Sequence, residues 1–310
     1  MSVNPHQFPN SGEVFLDHAA IFVEEFEHSG AALERLGFTL TPLRMHTSAL
    51  KPGDPLTTLG TGNRCAMLRS GMLEVMGATG DTPMAQQLRG QLARYPGLHL
   101  VAFSGAQAAD HHAALEADGL APLPLARLRR TQSSADGDHI IAASIIRLDA
   151  AQWPEGRVQI VCPEMSPDAM WHPSLIWHAN GADRFSEMLM VVDDPASRAA
   201  HFGRFVQRPV RRAGQRHVLE TERGRVHFVS VSDVLRYLPG VVIPALPWIA
   251  ALAIGAHDLG ALQALLAQRN VAFRVHGGTV QPEPSETLGA CFVFHDLTDD
   301  RVFDALDEQP

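Results

Sequence analysis

The chain has 310 residues, 45% of them hydrophobic and 19% charged, the composition of a globular protein long enough for two domains or one large one. Its formal net charge is −9 and it has no basic block, which argues against nucleic acid or an anionic membrane as a partner. Cys65, Cys162 and Cys291 are odd in number and far apart, with neither a CxxC nor a zinc-finger spacing, so reduced thiols are expected rather than a disulfide framework.

The N-terminal "MSVNPHQFPNSGE" has no charged n-region and no apolar h-region. No apolar run reaches the roughly 18 residues of a membrane span. The nearest, residues 237–256, is broken by Pro239, Pro244 and Pro247. A cytoplasmic protein is the expectation.

The first ordered segment is "VFLDHAAIFVEE", residues 14–25, an apolar run of strand type with His18 inside it. An amphipathic helix follows, with Gly37 placed as its stop. A long segment, "HTSALKPGDPLTTLGTGNRCAML", reads as a binding loop leading into a strand. "NRCAMLRS" and "GMLEVMGA" are two short strands about a Ser-Gly turn. The unit is βαβββ.

The same order recurs. Residues 98–164 give "LHLVAFSG", a helix, "LPLARLRR", "HIIAASIIRL" and "RVQIVCPE". Residues 185–232 give "FSEMLMVVDD", a helix opened by Asp194-Pro195, then three strands ending in "RVHFVSVS". Residues 248–295 open on "WIAALAIGA" and close on "GACFVFH", with the middle strands hard to separate. Between the second and third units lies a Pro/Trp/His-rich connection, "PEMSPDAMWHPSLIWHANGADR". The expected fold class is α+β, four βαβββ modules paired into two domains. Residues 1–168 would hold modules 14–80 and 98–167, and residues 169–310 would hold modules 185–235 and 248–296. Each module has one sheet face covered by its helix and one bare, so two modules pair to bury the bare faces in a cup. Inward side chains from the first and last strands then converge.

Strand phase nominates those side chains. His18, Ala20 and Phe22 share a face, as do Met72, Glu74 and Met76. Glu74 is a lone carboxylate among apolar residues, and a buried carboxylate needs a partner or a cation. One imidazole and one carboxylate make half of a divalent-metal site. In the second unit His99 takes the position of His18 if the following helix is one residue longer, with Val101 and Phe103 facing inward beside it. In the closing strand Glu164 and Gln159 lie on opposite faces, so at most one is a ligand. The third unit offers the same types inverted, Glu187 at the His18 position and His227 at the Glu74 position. A second metal site or a buried ion pair would each account for them, and the fourth unit, with only Cys291 or His295 to offer, favours the ion pair.

Other residues read as substrate contacts. Gly60 and Gly62 permit unusual backbone angles, Asn63 can bond a ligand, and His46 and Arg64 flank them. In the connection, Trp171, Trp177, His178 and Asn180 would either wall an apolar pocket or plug the two halves together.

Asp17-His18, Leu36-Gly37-Phe38, Gly60-Thr61-Gly62-Asn63, Leu73-Glu74 and "WHANGA" at 177–182 together resemble the vicinal oxygen chelate superfamily, and within it the glyoxalase-like domain branch. That resemblance implies metal ligands from corresponding strand positions of two paired units, here His18, Glu74, His99 and Glu164, although the branch usually has a histidine near position 164. It implies lyase or isomerase chemistry on a small oxygenated molecule, with Zn, Ni or Mn as cofactor and Glu74 or Glu164 as proton-transfer base. A ring-cleaving dioxygenase with Fe(II), or a metal-free small-molecule binding protein, are the alternatives within the same superfamily. Exposed strand edges of such modules make a homodimer an expectation.

Overall fold

The computed structural model describes residues 6–48, 57–134, 137–165, 167–299 and 301–307. Four βαβββ units follow one another. The first has strand β1 (Val14–Val23), helix α1 (Phe26–Arg35) and strands β2 (Arg44–Ser48), β3 (Thr57–Met67) and β4 (Met72–Ala78). After helix α2 (Pro83–Leu92) the second has β5 (Gly97–Gly105), α3 (Ala108–Ala117), β6 (Ala126–Ser134), β7 (Gly137–Ile146) and β8 (Arg157–Pro163). The third has β9 (Ala182–Val191), α4 (Pro195–Val206), β10 (Val210–Ala213), β11 (Arg216–Glu220) and β12 (Arg225–Val229). The fourth has β13 (Trp248–Ala256), α5 (Leu259–Gln268), β14 (Phe273–His276), β15 (Thr279–Pro282) and β16 (Cys291–Asp296), and helix α6 (Val302–Asp307) closes the chain.

Local chemistry sets the helix starts. Asp194 accepts from the Ser197 N–H at 3.0 Å with Pro195 behind it, and Asp258 accepts from the Ala261 N–H at 2.9 Å. Helix α2 uses the same device, Thr82 capping Ala85 ahead of Pro83. No helix among the described residues is long and apolar enough to cross a membrane.

In each unit the first strand runs parallel to the last, as in β1 with β4, where His18 pairs with Met72 and Ala20 with Glu74. First strands join antiparallel, β1 to β5 and β9 to β13, and Ile249 on β13 meets Leu98 on β5. The helix-covered faces of all four units share one core: Leu33 of α1, Leu115 of α3, Phe202 and Phe205 of α4 and Leu262 and Leu266 of α5 belong to a single buried cluster.

The bare faces have different fates. That of the third and fourth units is filled by Tyr237, Leu238 and Trp248 together with Val302, Phe303 and Leu306 from α6. That of the first two units is open enough to hold a cavity of about 320 Å³.

The segment expected as a long loop is for the most part strand. Residues 44–48 are β2 and 57–67 are β3, so Gly60, Gly62 and Asn63 lie in a strand paired on both sides, while 49–56 lie outside the described residues. Gly60 is nonetheless at φ 67°, and a Cβ there would meet the Thr82 side chain.

Candidate functional site

The cavity is lined from the bare faces of β1, β4 and β8, with residues of β2, β3, β6 and β7 completing its wall. β1 carries a bulge: Leu16 pairs with Phe103 and His18 with Ala102, which leaves Asp17 unpaired between them. A bulge breaks the alternation of faces. Asp17 and His18 therefore both line the cavity. Asp17 Oδ2 lies 2.6 Å from His18 Nδ1, so Nε2 is the nitrogen left for the cavity, and Glu74 Oε2 stands 4.0 Å from it. The other Glu74 oxygen accepts from Asn63 Nδ2 at 2.5 Å. All four side chains are buried.

Burial opposes charge on the His18 ring, but the hydrogen bond and charge of Asp17, with the charge of Glu74 added, outweigh it and raise its pKa above the ordinary histidine value. Burial likewise opposes the Asp17 carboxylate. His18 and Arg223, whose nearest nitrogen is 3.8 Å away, overcome this and hold its pKa below the usual range. In metal sites a histidine fixed through one nitrogen by a carboxylate presents the other as ligand.

The second unit contributes by a different phase from the expected one. β5 also carries a bulge, at His99: Ala20 pairs with Leu100 and Ile21 with Leu98. As a result Leu100 and Ala102 lie with Ala20, Phe22 and Met76, while Val101 and Phe103 join the helix-side core. His99 is fully buried, stacks on Tyr95 at 4.1 Å and places Nε2 2.7 Å from the Tyr95 carbonyl. Burial pushes its pKa down to about 4. It is not part of the cavity lining, and the expected longer helix is absent, since α1 and α3 each span 10 residues.

On β8 the inward residues are Arg157, Gln159, Val161 and Pro163, Gln159 pairing with Ala102 as Glu74 pairs with Ala20. Glu164 is thereby on the opposite face, is exposed, and accepts from Ser144 Oγ at 2.5 Å. The ambiguous register resolves in favour of Gln159.

The remaining nominated residues divide. His46 lines the cavity with Nδ1 2.9 Å from Thr61 Oγ1, and Trp171 lines it with its indole N–H on the Leu68 carbonyl at 3.0 Å. Arg64 points away, to Glu34 at 2.9 Å and the Thr41 carbonyl at 3.1 Å, beside α1. His178 and Asn180 also lie outside the lining. His178 accepts from the Thr39 N–H at 3.0 Å and meets the Met67 carbonyl at 3.0 Å, and Asn180 donates to the Leu36 carbonyl at 3.0 Å. They clamp the connection to the first unit, and Trp177 is 58% exposed. Glu187 and His227 are 3.5 Å apart and both 0% exposed, with the Phe303 N–H of α6 on Glu187 at 3.0 Å and Arg225 at 3.2 Å. The filled second cup leaves them as a sealed ionic group.

Among the cavity residues that the sequence did not nominate are two half-buried arginines. Arg147 follows β7 in the phase of Ile141, Ala143 and Ile145, and Arg157 opens β8. Burial lowers both pKa values, that of Arg157 to about 10, with Arg147 adding to the fall and Glu74 opposing it.

As a metal site this cavity offers His18 Nε2, the free Glu74 oxygen and the Gln159 amide, which makes no hydrogen bond among the described residues. Among those residues no three His, Cys, Asp or Glu side chains converge, so the third donor they offer beside His18 and Glu74 is the neutral Gln159 amide. Nitrogen, carboxylate and amide oxygen with positions left open fit a divalent ion.

The family model described as "Glyoxalase-like domain" matches residues 16–206. Among curated proteins none matches the sequence. A hypothetical protein from Staphylococcus aureus is similar in fold, with a TM-score of 0.59 at 9% identity over 92% of this chain and 100% of that one. A mutant of 4-hydroxymandelate synthase from Streptomyces coelicolor gives 0.53 at 14% identity, over 96% and 97%. Catechol 2,3-dioxygenase gives 0.50 at 13% identity, over 90% and 86%. At these identities the likeness is one of fold. With the family model matching residues 16–206, more than half of its length, the chain belongs to the glyoxalase-like domain family.

Proposed function

We propose that the first-half cavity is the active site of a metal-dependent enzyme acting on a small oxygenated molecule, as a lyase or isomerase. The observation that carries this reading is the buried row Asp17–His18–Glu74–Asn63, in which each outer residue fixes an inner one and leaves one atom of it facing the cavity. His18 Nε2, Glu74 and Gln159 would hold the ion. When bound it supplies Lewis-acid stabilisation of negative charge developing on substrate oxygen.

The side chains do the rest. Asp17 keeps the His18 ring in one orientation and tautomer. Asn63 anchors Glu74 Oε1, so that Oε2 is the one oxygen free to hold the ion or, on leaving it, to take a proton from the substrate. Met72, Met76, Met84 and Trp171 form an apolar wall that excludes water and adapts to the ligand.

The metal-free alternative is favoured by one observation: the Arg157 charge acts on Glu74 from within the same cavity, where it competes with a cation. The iron-dependent alternative asks for two histidines and a carboxylate together, and the described residues bring no such group together.

Metal analysis of protein purified without added metal tests the reading. Zinc, nickel or manganese near one per chain, lost in His18→Ala, supports it. A protein without divalent ion whose activity survives His18→Ala contradicts it.

A further inference from the structure

Arginines that are buried or half-buried in this chain are partnered. Arg198 forks onto Glu155 at 2.6 and 2.8 Å, Arg216 reaches Asp304 at 2.7 Å, and Arg69 reaches Asp183 at 2.8 Å. Three arginines line the cavity; Arg127 on β6 is exposed, while the half-buried Arg147 and Arg157 break this pattern. Among the described residues the Arg147 side chain has no hydrogen bond or ion pair, and the Arg157 side chain has only the Gln87 amide oxygen at 3.4 Å. An unpaired cation withdrawn from water is costly, and two sharing a wall repel each other. Such a pair is retained at a site when an anion completes it.

We propose that the ligand of this cavity carries a carboxylate, bound between Arg147 and Arg157 on the second-unit wall. The proposal rests on the reading of the cavity as an active site and names the class of its substrate: a small carboxylic acid with an oxygen on a neighbouring carbon. The guanidinium fork matches a carboxylate, and two forks suit its two oxygens. The surroundings are strand side chains, with Ile141, Ala143 and Ile145 leading up to Arg147 and Val161 following Arg157. Helix α2 also reaches this wall, with Met84 of its first turn in the lining and Gln87 beside Arg157, so inorganic phosphate is titrated alongside the acids, and phosphate bound in preference to every acid overturns the carboxylate.

Orientation follows from charge. The first-unit wall carries Asp17 and Glu74, which repel a carboxylate, and it faces the reacting end of the ligand with His18. On the shared sheet Glu74, Ala20, Leu100 and Arg157 form one row across β4, β1, β5 and β8. The small Ala20 and the apolar Leu100 separate the acidic end from the basic end. A molecule that spans the row places its carboxylate at Arg157 and its oxygen-bearing carbon towards Glu74. A volume of about 320 Å³ holds a small acid with an apolar body.

The test is calorimetric titration with acetate, benzoate and phenylacetate, each against its own amide. Wild type, Arg147→Met, Arg157→Met and the double variant are compared. At least one acid is expected to bind about tenfold or more tighter than its amide, as a charged hydrogen bond gives. Either substitution cuts that preference about tenfold, and the double variant shows none while melting no lower than wild type. Arg157→Lys, which keeps the charge and loses the fork, reads the same preference with little disturbance of packing and is expected to weaken it. No acid preferred over its amide, or a preference that survives the double substitution, overturns the proposal. Metal analysis of the wild type separates the two claims: acid preference in a wild-type protein with neither metal nor turnover overturns the enzyme reading alone, and metal bound with no acid preference overturns the carboxylate alone.

Discussion

In an unbroken strand Asp17 and His18 would point to opposite faces; the bulge in β1 puts them on one. The pairing that results sets which His18 nitrogen is available and raises its affinity for a proton or a metal. Replacing Asp17 by Asn keeps the shape and removes the charge. Its expected effect is a loss of about 10–100-fold in divalent-metal affinity, measured by competition with a chromophoric chelator. Unchanged affinity would mean that Asp17 serves the fold alone. His18 and Glu74 were legible because alternation in two short strands puts an ionisable group among apolar neighbours. The role of Asp17 was not, because nothing in "FLDHAA" announces a bulge. Misreading His99 has the same cause, a second bulge that moves Leu100 and Ala102 inward.

At the scale of elements, the connection between the halves is held by side chains that the sequence offered either as substrate contacts or as a plug between the halves, and the structure has His178 and Asn180 as the plug. Asn180 packs against Gly37, where φ is +95° and a Cβ would come within 2.9 Å of it. Gly37→Ala is therefore expected to cost about 2 kcal/mol or more, from backbone strain plus displacement of the connection. His178→Ala leaves the Thr39 N–H and the Met67 carbonyl unpaired, and on the order of 2–4 kcal/mol should be lost. Urea denaturation checks both, and ligand affinity at saturating folded protein should be unchanged for His178→Ala. A variant that keeps full stability and loses ligand would return His178 to the site. The pairing of "LGF" with "WHANGA" explains why these two motifs occur together, yet their contact joins residues more than a hundred positions apart and no local pattern displays it. Helix α2 was open to reading, since Thr82-Pro83 repeats the cap chemistry of Asp194-Pro195.

Across the whole molecule one architectural unit is used to two ends. The first two units leave their cup open around Asp17, His18 and Glu74. The last two fill theirs with Trp248, Tyr237 and α6, so that Glu187 and His227 meet the Phe303 backbone in place of solvent. The repeat was legible from apolar periodicity, whereas the filling was not, because α6 is a short C-terminal helix whose partner lies across the fold.

Burial of neutral histidines makes the whole fold acid-sensitive. His99 and His178 titrate near 4 when folded, against an ordinary value near 6.5. The unfolded chain binds these two protons first. Stability is thus complete above about pH 6.5, falls as the pH drops towards 4, and levels below that, by on the order of 3 kcal/mol for each ring. Urea midpoints across this range should show the fall, to which His201, also pushed to about 4 by burial, adds, and His99→Gln should remove part of it. A flat profile would mean that both rings take up protons while folded.

The central claim is that His18 and Glu74 hold a divalent ion in the first-half cavity. Calorimetric titration of metal-stripped protein with Zn²⁺, Ni²⁺ and Mn²⁺, in wild type and in His18→Ala, tests it most directly. One ion per chain is expected in wild type, with a loss of at least about a hundredfold in affinity for His18→Ala. No binding, or binding equally tight without His18, would contradict it.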